Sequence, residues 1–467
     1  MGVERGEETG TMKRHQRSIL QGPLLGSVIT YTIPIILTSI LQLLFNAADL
    51  VIVGRYCGSI SVAAVGATSQ ITHLTVNLFI GLSIGCGVCM AHACGGRNEQ
   101  AMHRTVHTAL PLAVICGVII TIIGVVFAKT FLTWMGTPDE VLPLSTVYMR
   151  LYFCGMVFNM VYNFCASMLR AIGDTKRPLI FLTVAGVVNV VLNVFFVTVF
   201  QMNVAGVALA TAISQGVSAV LVVTALMRRT DACKLQLKKI HIYKEQFTKI
   251  VGKGLPAGIQ SSLFSISNVT IQSSINSFGD VVMSGSAASA NIESFVYVSM
   301  NAFMQTALNF TGQNVGAGQY KRVSKIAAIC LASVAVVGIV AGGTTYLLSP
   351  QLLAIYITDS PQAIAYGVER TGYIALMYFL LGMQEVTTGL LRGMGAAISP
   401  MLVAILGICG LRILWVFVVF PMPQFHTLGG LFVSYPISWI VTFVCQLVAF
   451  IWIFRKRQEA QNRINAV

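Results

Sequence analysis

Long apolar runs, separated by short polar or Gly/Pro-rich stretches, cover most of this 467-residue chain. Several runs exceed the about 20 residues that an α-helix needs to cross the hydrocarbon core of a bilayer. The pattern therefore predicts an all-α integral membrane protein with twelve transmembrane helices. They are the segments 23–50, 60–88, 103–127, 141–169, 178–200, 206–227, 252–278, 284–310, 323–348, 364–390, 399–420 and 428–454.

The two halves of the chain repeat each other at a constant offset of 222 residues, as from Pro34 to Pro256. A gapless repeat of this length indicates one ancestral unit that was duplicated and fused. We therefore predict two six-helix lobes related by the repeat. Further pairs at the same offset are Gly96 and Gly318, Arg170 and Arg392, and Pro178 and Pro400.

The composition excludes an ordinary soluble protein. The chain is 55% hydrophobic and 10% charged, whereas a soluble domain is about 25% charged. Its eleven cysteines are scattered, mostly through apolar segments, where a thiol behaves as a small hydrophobe. The spacing of Cys86, Cys89, His92 and Cys94 could bind zinc, but these residues lie in an apolar helical run without a second ligand cluster. We predict helix packing there and no metal site.

Basic residues alternate between loops and so predict the orientation in the membrane. All of the 30 Lys and Arg residues lie on one face except Arg55, Lys129, Arg150, Arg370 and Arg412. We expect this face to be cytoplasmic, with both termini on it, and we do not expect nucleic-acid binding. The predicted regions are an N-terminal tail at 1–22, lobes at 23–227 and 252–454, a basic cytoplasmic linker at 228–251 and a C-terminal tail at 455–467.

Polar side chains inside the predicted helices indicate a functional site. A carboxylate at mid-membrane costs at least about 2.5 kcal/mol and normally faces an interior cavity. Asp49 is the one acidic residue deep in a helix of the first half, and it shares a helix face with Gln42 and Asn46. We expect Asp49 to bind H⁺ or Na⁺.

Amide and hydroxyl side chains recur at four-residue spacing on three further helices of the first half, which places each pair on one face. If these faces converge on Asp49, Asn189 and Asn193 complete the cation site and the other residues line a polar substrate cavity. The alternative is that the amides hydrogen-bond helices together. The pairs are Asn159 with Asn163, Asn189 with Asn193, and Thr211 with Gln215.

The second half has polar stripes as well, at Asn268, Gln272 and Asn276 and at Asn301, Gln305 and Asn309. We expect Gln272, Asn276 and Glu293 to line the cavity. The single basic residue deep in a helix, Arg412, is expected to form an intramembrane ion pair with Glu293 or Glu385. The alternative role of that pair is to hold the half together.

The sequence does not predict ATP hydrolysis or another enzyme activity. It lacks the Gly-x-x-x-x-Gly-Lys-Ser/Thr loop that binds phosphates, and His73 and His92 are single histidines near helix ends, outside any Ser/His/Asp arrangement. We therefore expect transport that is driven by an ion gradient, with no cofactor beyond the coupling ion.

These features make the chain similar to the multidrug and toxic compound extrusion (MATE) family over about residues 23–455. The specific elements are 48–55 (Ala-Asp-Leu-Val-Ile-Val-Gly-Arg), 169–178, 311–318 and 391–395. The resemblance implies a V-shaped pair of lobes that exports cationic, amphipathic compounds in exchange for H⁺ or Na⁺. It also implies a monomer in the inner membrane of a bacterium.

The resemblance assigns the coupling role to Asp49 and maps the family's N-lobe polar network onto residues Gln42, Asp49, Asn159, Asn163, Asn189, Asn193 and Thr211. Some members carry a second aspartate at the position of Asn193. The C-lobe acidic residues of the NorM-type branch correspond to Phe264 and Leu381 here, so the chain looks nearer the DinF-type branch.

The repeat offset maps Asp49 onto Ile271, Asn189 onto Leu411 and Asn193 onto Trp415, which places the ion site in the first copy. The alternative function is a lipid-linked precursor flippase of the same superfamily. Such flippases usually have fourteen helices, whereas twelve are predicted here.

Overall fold

The computed structural model of the chain describes residues 19–358 and 360–465. Within these residues the structure is helical and contains no strand, which confirms the predicted all-α class. Most of the predicted N-terminal tail, residues 1–18, lies outside the described residues.

In the described part of the first half, seven helices follow a short helical stretch at 19–21. Predicted segment 141–169 consists of two of them, which meet at Gly155 with a bend of 44°. A side chain at Gly155 would lie 2.9 Å from Ala212 Cα, so glycine permits close packing at the bend. The helices are α1 (Leu24–Cys57), α2 (Ser59–Gly95), α3 (Glu99–Trp134), α4 (Leu142–Cys154), α5 (Met156–Ala171), α6 (Lys176–Thr198) and α7 (Asn203–Met227).

Among its described residues, the second half contains ten α-helices, several of them short. Two π-helical stretches, Ile405–Gly410 and Trp415–Val419, interrupt the predicted segment 399–420. The helices are α8 (Lys244–Asn276), α9 (Asp280–Gly316), α10 (Tyr320–Leu347), α11 (Ser349–Tyr356), α12 (Pro361–Ile374), α13 (Tyr378–Gly393), α14 (Ile398–Ala404), α15 (Leu411–Leu414), α16 (Leu428–Phe432) and α17 (Ser434–Asn465).

Nine helical stretches in the described part of the chain are long and apolar enough to cross a membrane, and the bent pair α4–α5 makes a tenth. Helices α8 and α9, of 33 and 37 residues, are also long enough to span a bilayer. They are less apolar because they carry the serine, asparagine and glutamine stripes of the second half. The polar surface of the second copy is therefore concentrated on its first two helices.

The chain divides into two compact units. Of the described residues, one unit comprises 19–21 and 37–262, and the other comprises 22–36, 263–358 and 360–465. Helices α1 and α8, which the repeat relates to each other, are each divided between the two units. The packing boundary thus falls inside these helices, whereas the lobes predicted from topology, 23–227 and 252–454, begin at them.

The linker predicted at 228–251 packs against α3 in the first unit. The backbone N–H of Gln236 donates to His107 Nε2 at 3.1 Å, and that of Tyr243 donates to Thr108 Oγ1 at 3.1 Å. Burial alone would lower the pKa of Arg229, but its hydrogen bonds and charge interaction with Asp231 raise that pKa above its ordinary value. The linker is therefore an ordered connection fixed by specific bonds.

Helix ends extend into two regions that the sequence analysis assigned to polar connections. Residues 244–251 form the first turns of α8, where Lys249 Nζ lies 2.6 Å from Glu245 Oε1 in a four-residue pair that favours helix. Residues 455–465 continue α17, and the Arg457 side chain donates to the backbone oxygen of Met394. Charged residues do not end a helix where its surface is exposed.

In the first unit, α2 and the N-terminal part of α8 pack backbone to backbone through glycines. A Cβ on Gly85 would lie 2.3 Å from Ile250 O, and one on Gly254 would lie 2.6 Å from Leu82 Cα. Gly81 and Gly258 approach the facing helix equally closely. Both pairs have the small-xxx-small spacing that allows membrane helices to approach closely.

We predict that Gly254→Ala lowers the thermal unfolding temperature of the purified protein, because the new methyl group would contact backbone that cannot rotate away. Overpacking of this kind costs about 1–3 kcal/mol. Gly252→Ala is the matched control, because a Cβ there meets nothing within 4 Å. Unfolding followed by intrinsic fluorescence measures the difference, and equal midpoints for the two variants would contradict the close packing.

Candidate functional site

Four side chains from three helices of the first unit form a closed ring of hydrogen bonds around Asp49. Asn193 Nδ2 donates to Asp49 Oδ1 at 2.5 Å and to Asn189 Oδ1 at 3.2 Å. Asn189 Nδ2 donates to Thr211 Oγ1 at 3.3 Å, and the single hydroxyl hydrogen of Thr211 is shared between Val207 O at 3.0 Å and Asp49 Oδ2 at 3.5 Å. The structure therefore brings together Asp49 on α1, Asn189 and Asn193 on α6, and Thr211 on α7.

A glycine on α6 allows α1 to approach this ring. A Cβ on Gly186 would lie 1.8 Å from the ring of Phe45, so the aromatic side chain occupies the space that a larger residue would fill. Phe45 lies four residues before Asp49, on the same face of α1. Contact between Phe45 and Gly186 thus holds the carboxylate beside the two asparagines of α6.

One helical turn from the ring, the same three helices pack apolar side chains against one another. One buried cluster contains a valine from each of these helices. Val53 and Val197 follow Asp49 and Asn193 by four residues. Val207 precedes Thr211 by four residues. Because α6 and α7 are joined by a short turn on that side, the cluster separates the ring from the turn. In the opposite direction along α1, Asn46 is exposed. Access to Asp49 is therefore more open from the Asn46 side.

Two tyrosines that the sequence analysis did not single out belong to the surroundings of Asp49. Tyr148 and Tyr152 on α4 are close enough to interact electrostatically with Asp49. Their rings stack on each other with centroids 6.0 Å apart. The two tyrosines are four residues apart, like the asparagine pairs. This spacing is the sequence pattern from which their position beside Asp49 could have been predicted.

The ring can respond to the charge of Asp49. Both carboxylate oxygens accept hydrogen bonds, which stabilises an anion without a neighbouring cation. Asn193 Oδ1 is buried and has no hydrogen-bond partner among the described residues. Rotation of this amide would exchange a donor for an acceptor beside the carboxylate, which suits a protonated carboxyl group or a bound Na⁺ better than an anion. Asn193 Oδ1 is therefore an acceptor that a neutralised Asp49 can use.

The other predicted cavity residues of the first half do not join this ring. Asn163 Nδ2 donates to the backbone oxygen and the side-chain oxygen of Asn159, both at 2.9 Å. This pair is half-buried and satisfies itself within α5. Gln42 and Asn46 are exposed on α1, so they lie on a surface that a ligand or lipid can contact.

In the second unit, Gln272 Nε2 donates to Asn276 Oδ1 at 2.9 Å along the outer end of α8. Glu293 is buried rather than exposed to a cavity, and its carboxylate receives two bonds from Arg370, at 3.2 and 3.1 Å. Ser289 Oγ also donates to Glu293, at 2.8 Å. Glu293 is thus the anion of a buried ion pair.

This ion pair corrects two expectations. Arg412 was expected to pair with Glu293 or Glu385, and Arg370 was placed at the face opposite the cytoplasmic one. Arg370 is instead 6% exposed, because α12 packs against α9 and directs its guanidinium toward Glu293 and Ser286. Arg370 lies near the end of a moderately polar helix, so its sequence context resembled that of a loop residue.

Cys86, Cys89 and Cys94, which have zinc-like spacing, lie in the hydrophobic core of the first unit. Nearby, His92 Nδ1 is 3.2 Å from Lys253 Nζ. These positions place three of the four residues among apolar side chains, as the helix-packing interpretation expected.

We predict that Thr211→Val destabilises the protein, whereas Thr211→Ser does not. Valine removes the acceptor of Asn189 and a donor to Asp49, and a buried polar group left unsatisfied costs about 1–3 kcal/mol. Serine keeps the hydroxyl. Thermal unfolding of the purified variants tests this, with an expected loss of several degrees for valine. A valine variant as stable as the serine variant would mean that these bonds contribute nothing to folding.

Comparisons with known proteins agree with this architecture. The family model described as MatE matches residues 34–195 and 256–418, and these two matches begin 222 residues apart. The chain is 27% identical over 392 residues to the probable multidrug resistance protein YpnP of Bacillus subtilis, covering 84% of this chain and 87% of that protein. It is 20% identical to the multidrug export protein MepA of Staphylococcus aureus, covering 83% of this chain and 85% of that protein.

Among solved structures, a MOP superfamily transporter from Pyrococcus furiosus has a TM-score of 0.86 to this chain. It is 21% identical and covers 95% of this chain and 98% of its own. This likeness concerns the fold, and it confirms the predicted two-lobe architecture of twelve helices.

Proposed function

Because the chain belongs to the MatE family of membrane transporters, we propose that it exports small cationic or amphipathic compounds in exchange for H⁺ or Na⁺. The names of the relatives YpnP and MepA support multidrug efflux. The observation that carries the coupling part of the proposal is the Asp49 ring. It is a buried carboxylate stabilised by neutral donors alone, and such a group inside a membrane marks an ion pathway by default.

In this proposal, the charge of Asp49 sets the arrangement of three helices. The anion attracts Asn193 and Thr211, which keeps α6 and α7 close to α1. Binding of H⁺ or Na⁺ removes that attraction, and the Asn193 amide rotates to use its oxygen. The cation can shift the transporter only by as much as its affinity differs between the two conformations. A change in helix packing around Asp49 would provide that difference and alter the affinity for substrate.

The prediction concerns Asp49→Asn. Asparagine keeps the size of the side chain and its hydrogen-bonding capacity but cannot carry the charge. We expect the variant in proteoliposomes to lose substrate accumulation driven by an imposed H⁺ or Na⁺ gradient, to the level of protein-free liposomes. We expect it to keep substrate binding, because the exchange leaves the rest of the chain intact.

Asp139→Asn is the control, because Asp139 is exposed in the connection between α3 and α4. It should transport as the wild type does. Separate experiments with only an H⁺ gradient and only a Na⁺ gradient identify the coupling ion. Gradient-dependent accumulation by Asp49→Asn, at wild-type protein levels, would refute the role of Asp49.

We also propose that the transporter lies in the inner membrane of a bacterium as a monomer, with both termini in the cytoplasm. The orientation rests on the clustering of basic residues in alternate connections, and the monomeric state and the inner membrane rest on the family resemblance. A green fluorescent protein fused after Val467 should fluoresce. Alkaline phosphatase should be active when fused after Thr137 and inactive when fused after Arg228. The reverse pattern of phosphatase activity would invert the topology.

A further inference from the structure

Arg412 lies inside the second unit with neutral side chains as its nearest partners. It is 4% exposed. Arg412 Nε donates to Ser438 Oγ at 3.0 Å, and Nη1 donates to Asn268 Oδ1 at 3.5 Å. The guanidinium carbon lies 4.2 Å from the centre of the Tyr435 ring and 5.8 Å from that of Trp439.

The acidic groups of this unit do not neutralise Arg412. Glu293 is bound by Arg370, and Glu385 interacts electrostatically with Arg392 on the same helix. The titratable groups that act on Arg412 are Tyr435, Cys409, Tyr378 and Arg370, none of which is a carboxylate. Among the described residues, Arg412 is therefore a buried cation without a carboxylate partner, which differs from the ion pair that the sequence predicted.

The repeat explains the position of Arg412 once the two π-helical stretches are considered. A π turn holds one more residue than an α turn, so each π stretch shifts the register of the second copy by one. In the following helix the offset is 224, at which five pairs of residues are identical: Gly206 and Gly430, Ile213 and Ile437, Ser214 and Ser438, Val217 and Val441, and Val220 and Val444. Two residues have therefore been added between Pro400 and that helix, and the two π stretches are places where a helix can hold them.

The constant offset of 222 maps Asn189 onto Leu411. If one added residue is assigned to the π stretch Ile405–Gly410, the counterpart of Asn189 at offset 223 is the neighbouring Arg412. Tyr435 follows both stretches, and its counterpart at offset 224 is Thr211. The contact between Arg412 and Tyr435 thus replaces the hydrogen bond between Asn189 and Thr211 in the first copy.

The α1 side of the site is repeated as well. Asn268, which accepts a bond from Arg412, corresponds to Asn46 at the original offset of 222. The position of Asp49 is Ile271, which is apolar and buried. The second copy therefore keeps the polar site at the same place in the repeat, but it carries a cation where the first copy carries an anion.

We propose that Arg412 binds the anionic head group of amphipathic organic anions, carboxylates in particular. This inference rests on the proposed transport function and adds a second class of substrate to it. A guanidinium has five N–H donors in a planar fork that matches a carboxylate. Two donors are used by Ser438 and Asn268, and the exposed side chain of Asn268 marks where the remaining edge can be reached.

The aromatic neighbours fit this ligand class. Stacking on Tyr435 and Trp439 stabilises the guanidinium, but it leaves the N–H groups in their plane and the positive charge in place. Tyr378 stacks on Trp439 with centroids 5.7 Å apart, which extends the aromatic surface. An aromatic carboxylate can therefore place its head group on Arg412 and its ring on an apolar surface.

The test measures binding of 2-naphthoate to the purified protein in phosphatidylcholine nanodiscs by isothermal titration calorimetry, with empty nanodiscs as the blank. 2-Naphthylmethylammonium, of similar size and opposite charge, is the ligand control. We expect Arg412→Gln to weaken naphthoate binding at least about tenfold, since a charged hydrogen-bonded pair is lost. Arg412→Lys, which keeps the charge but not the fork, should fall between the two. The ammonium compound should bind all three equally.

Arg150→Gln is the matched protein control, because Arg150 is an exposed arginine of the first unit. It should bind naphthoate as the wild type does. Equal naphthoate affinities for wild type and Arg412→Gln would overturn the proposal. If Arg412→Gln does not fold, an unchanged affinity in Arg412→Lys would overturn it, and a several-fold loss would support it.

The Asp49→Asn variant separates this inference from the proposed function. It should bind naphthoate with wild-type affinity, because Asp49 belongs to the other unit. If the wild type shows no gradient-driven transport but naphthoate binding depends on Arg412, antiport is refuted and the anion site is not. If the wild type shows gradient-driven transport but naphthoate binding does not depend on Arg412, the anion site is refuted and antiport is not.

Discussion

The cost of placing a charge in the hydrocarbon core determines where this protein keeps its ionisable side chains. A charge there needs a partner or a function, because the bilayer offers no hydrogen bonds. The described structure meets this requirement in different ways. Glu293 has the cation Arg370, whereas Asp49 has neutral donors and Arg412 has aromatic rings and neutral acceptors. The charge of Glu293 is neutralised by Arg370, whereas the charges of Asp49 and Arg412 have no charged partner among the described residues and can interact with a ligand.

A buried charge without a charged partner can bind and release an ion, which transport requires. The Glu293–Arg370 pair holds α9 and α12 together, and loss of one partner would leave the other buried and unpaired at a large cost. The Asp49 ring is less demanding, because its donors can rotate when the carboxylate is neutralised. Asn193 already carries an unused acceptor. A site held by amides and a hydroxyl can therefore change state without breaking the packing around it.

The sequence predicted the membrane-spanning segments and the Asp49 ring because both rest on local periodicity. Four-residue spacing placed Asn189 beside Asn193, and the cost of a buried carboxylate identified Asp49. Contacts between distant segments did not follow from such patterns. The partner of Glu293 depends on how α12 packs against α9, and the close glycine contact between α2 and α8 depends on which faces meet. The division of α1 and α8 between the two compact units was also invisible, since both helices are continuous in sequence.

The position of Arg412 shows why a constant repeat offset can mislead. A helical face is defined by steps of 100° per residue, so one extra residue in a π turn moves every later side chain to a different face. At offset 222 the counterpart of Asn189 is Leu411, so this offset gives the second copy no polar residue at that position. At the offset that the π stretch imposes, the counterpart is Arg412, and the site is present with the opposite charge. Under this assignment, two copies of one scaffold hold charges of opposite sign at corresponding places. The side chains around each charge differ as well, since Ile271 stands at the position of Asp49 and Tyr435 at that of Thr211.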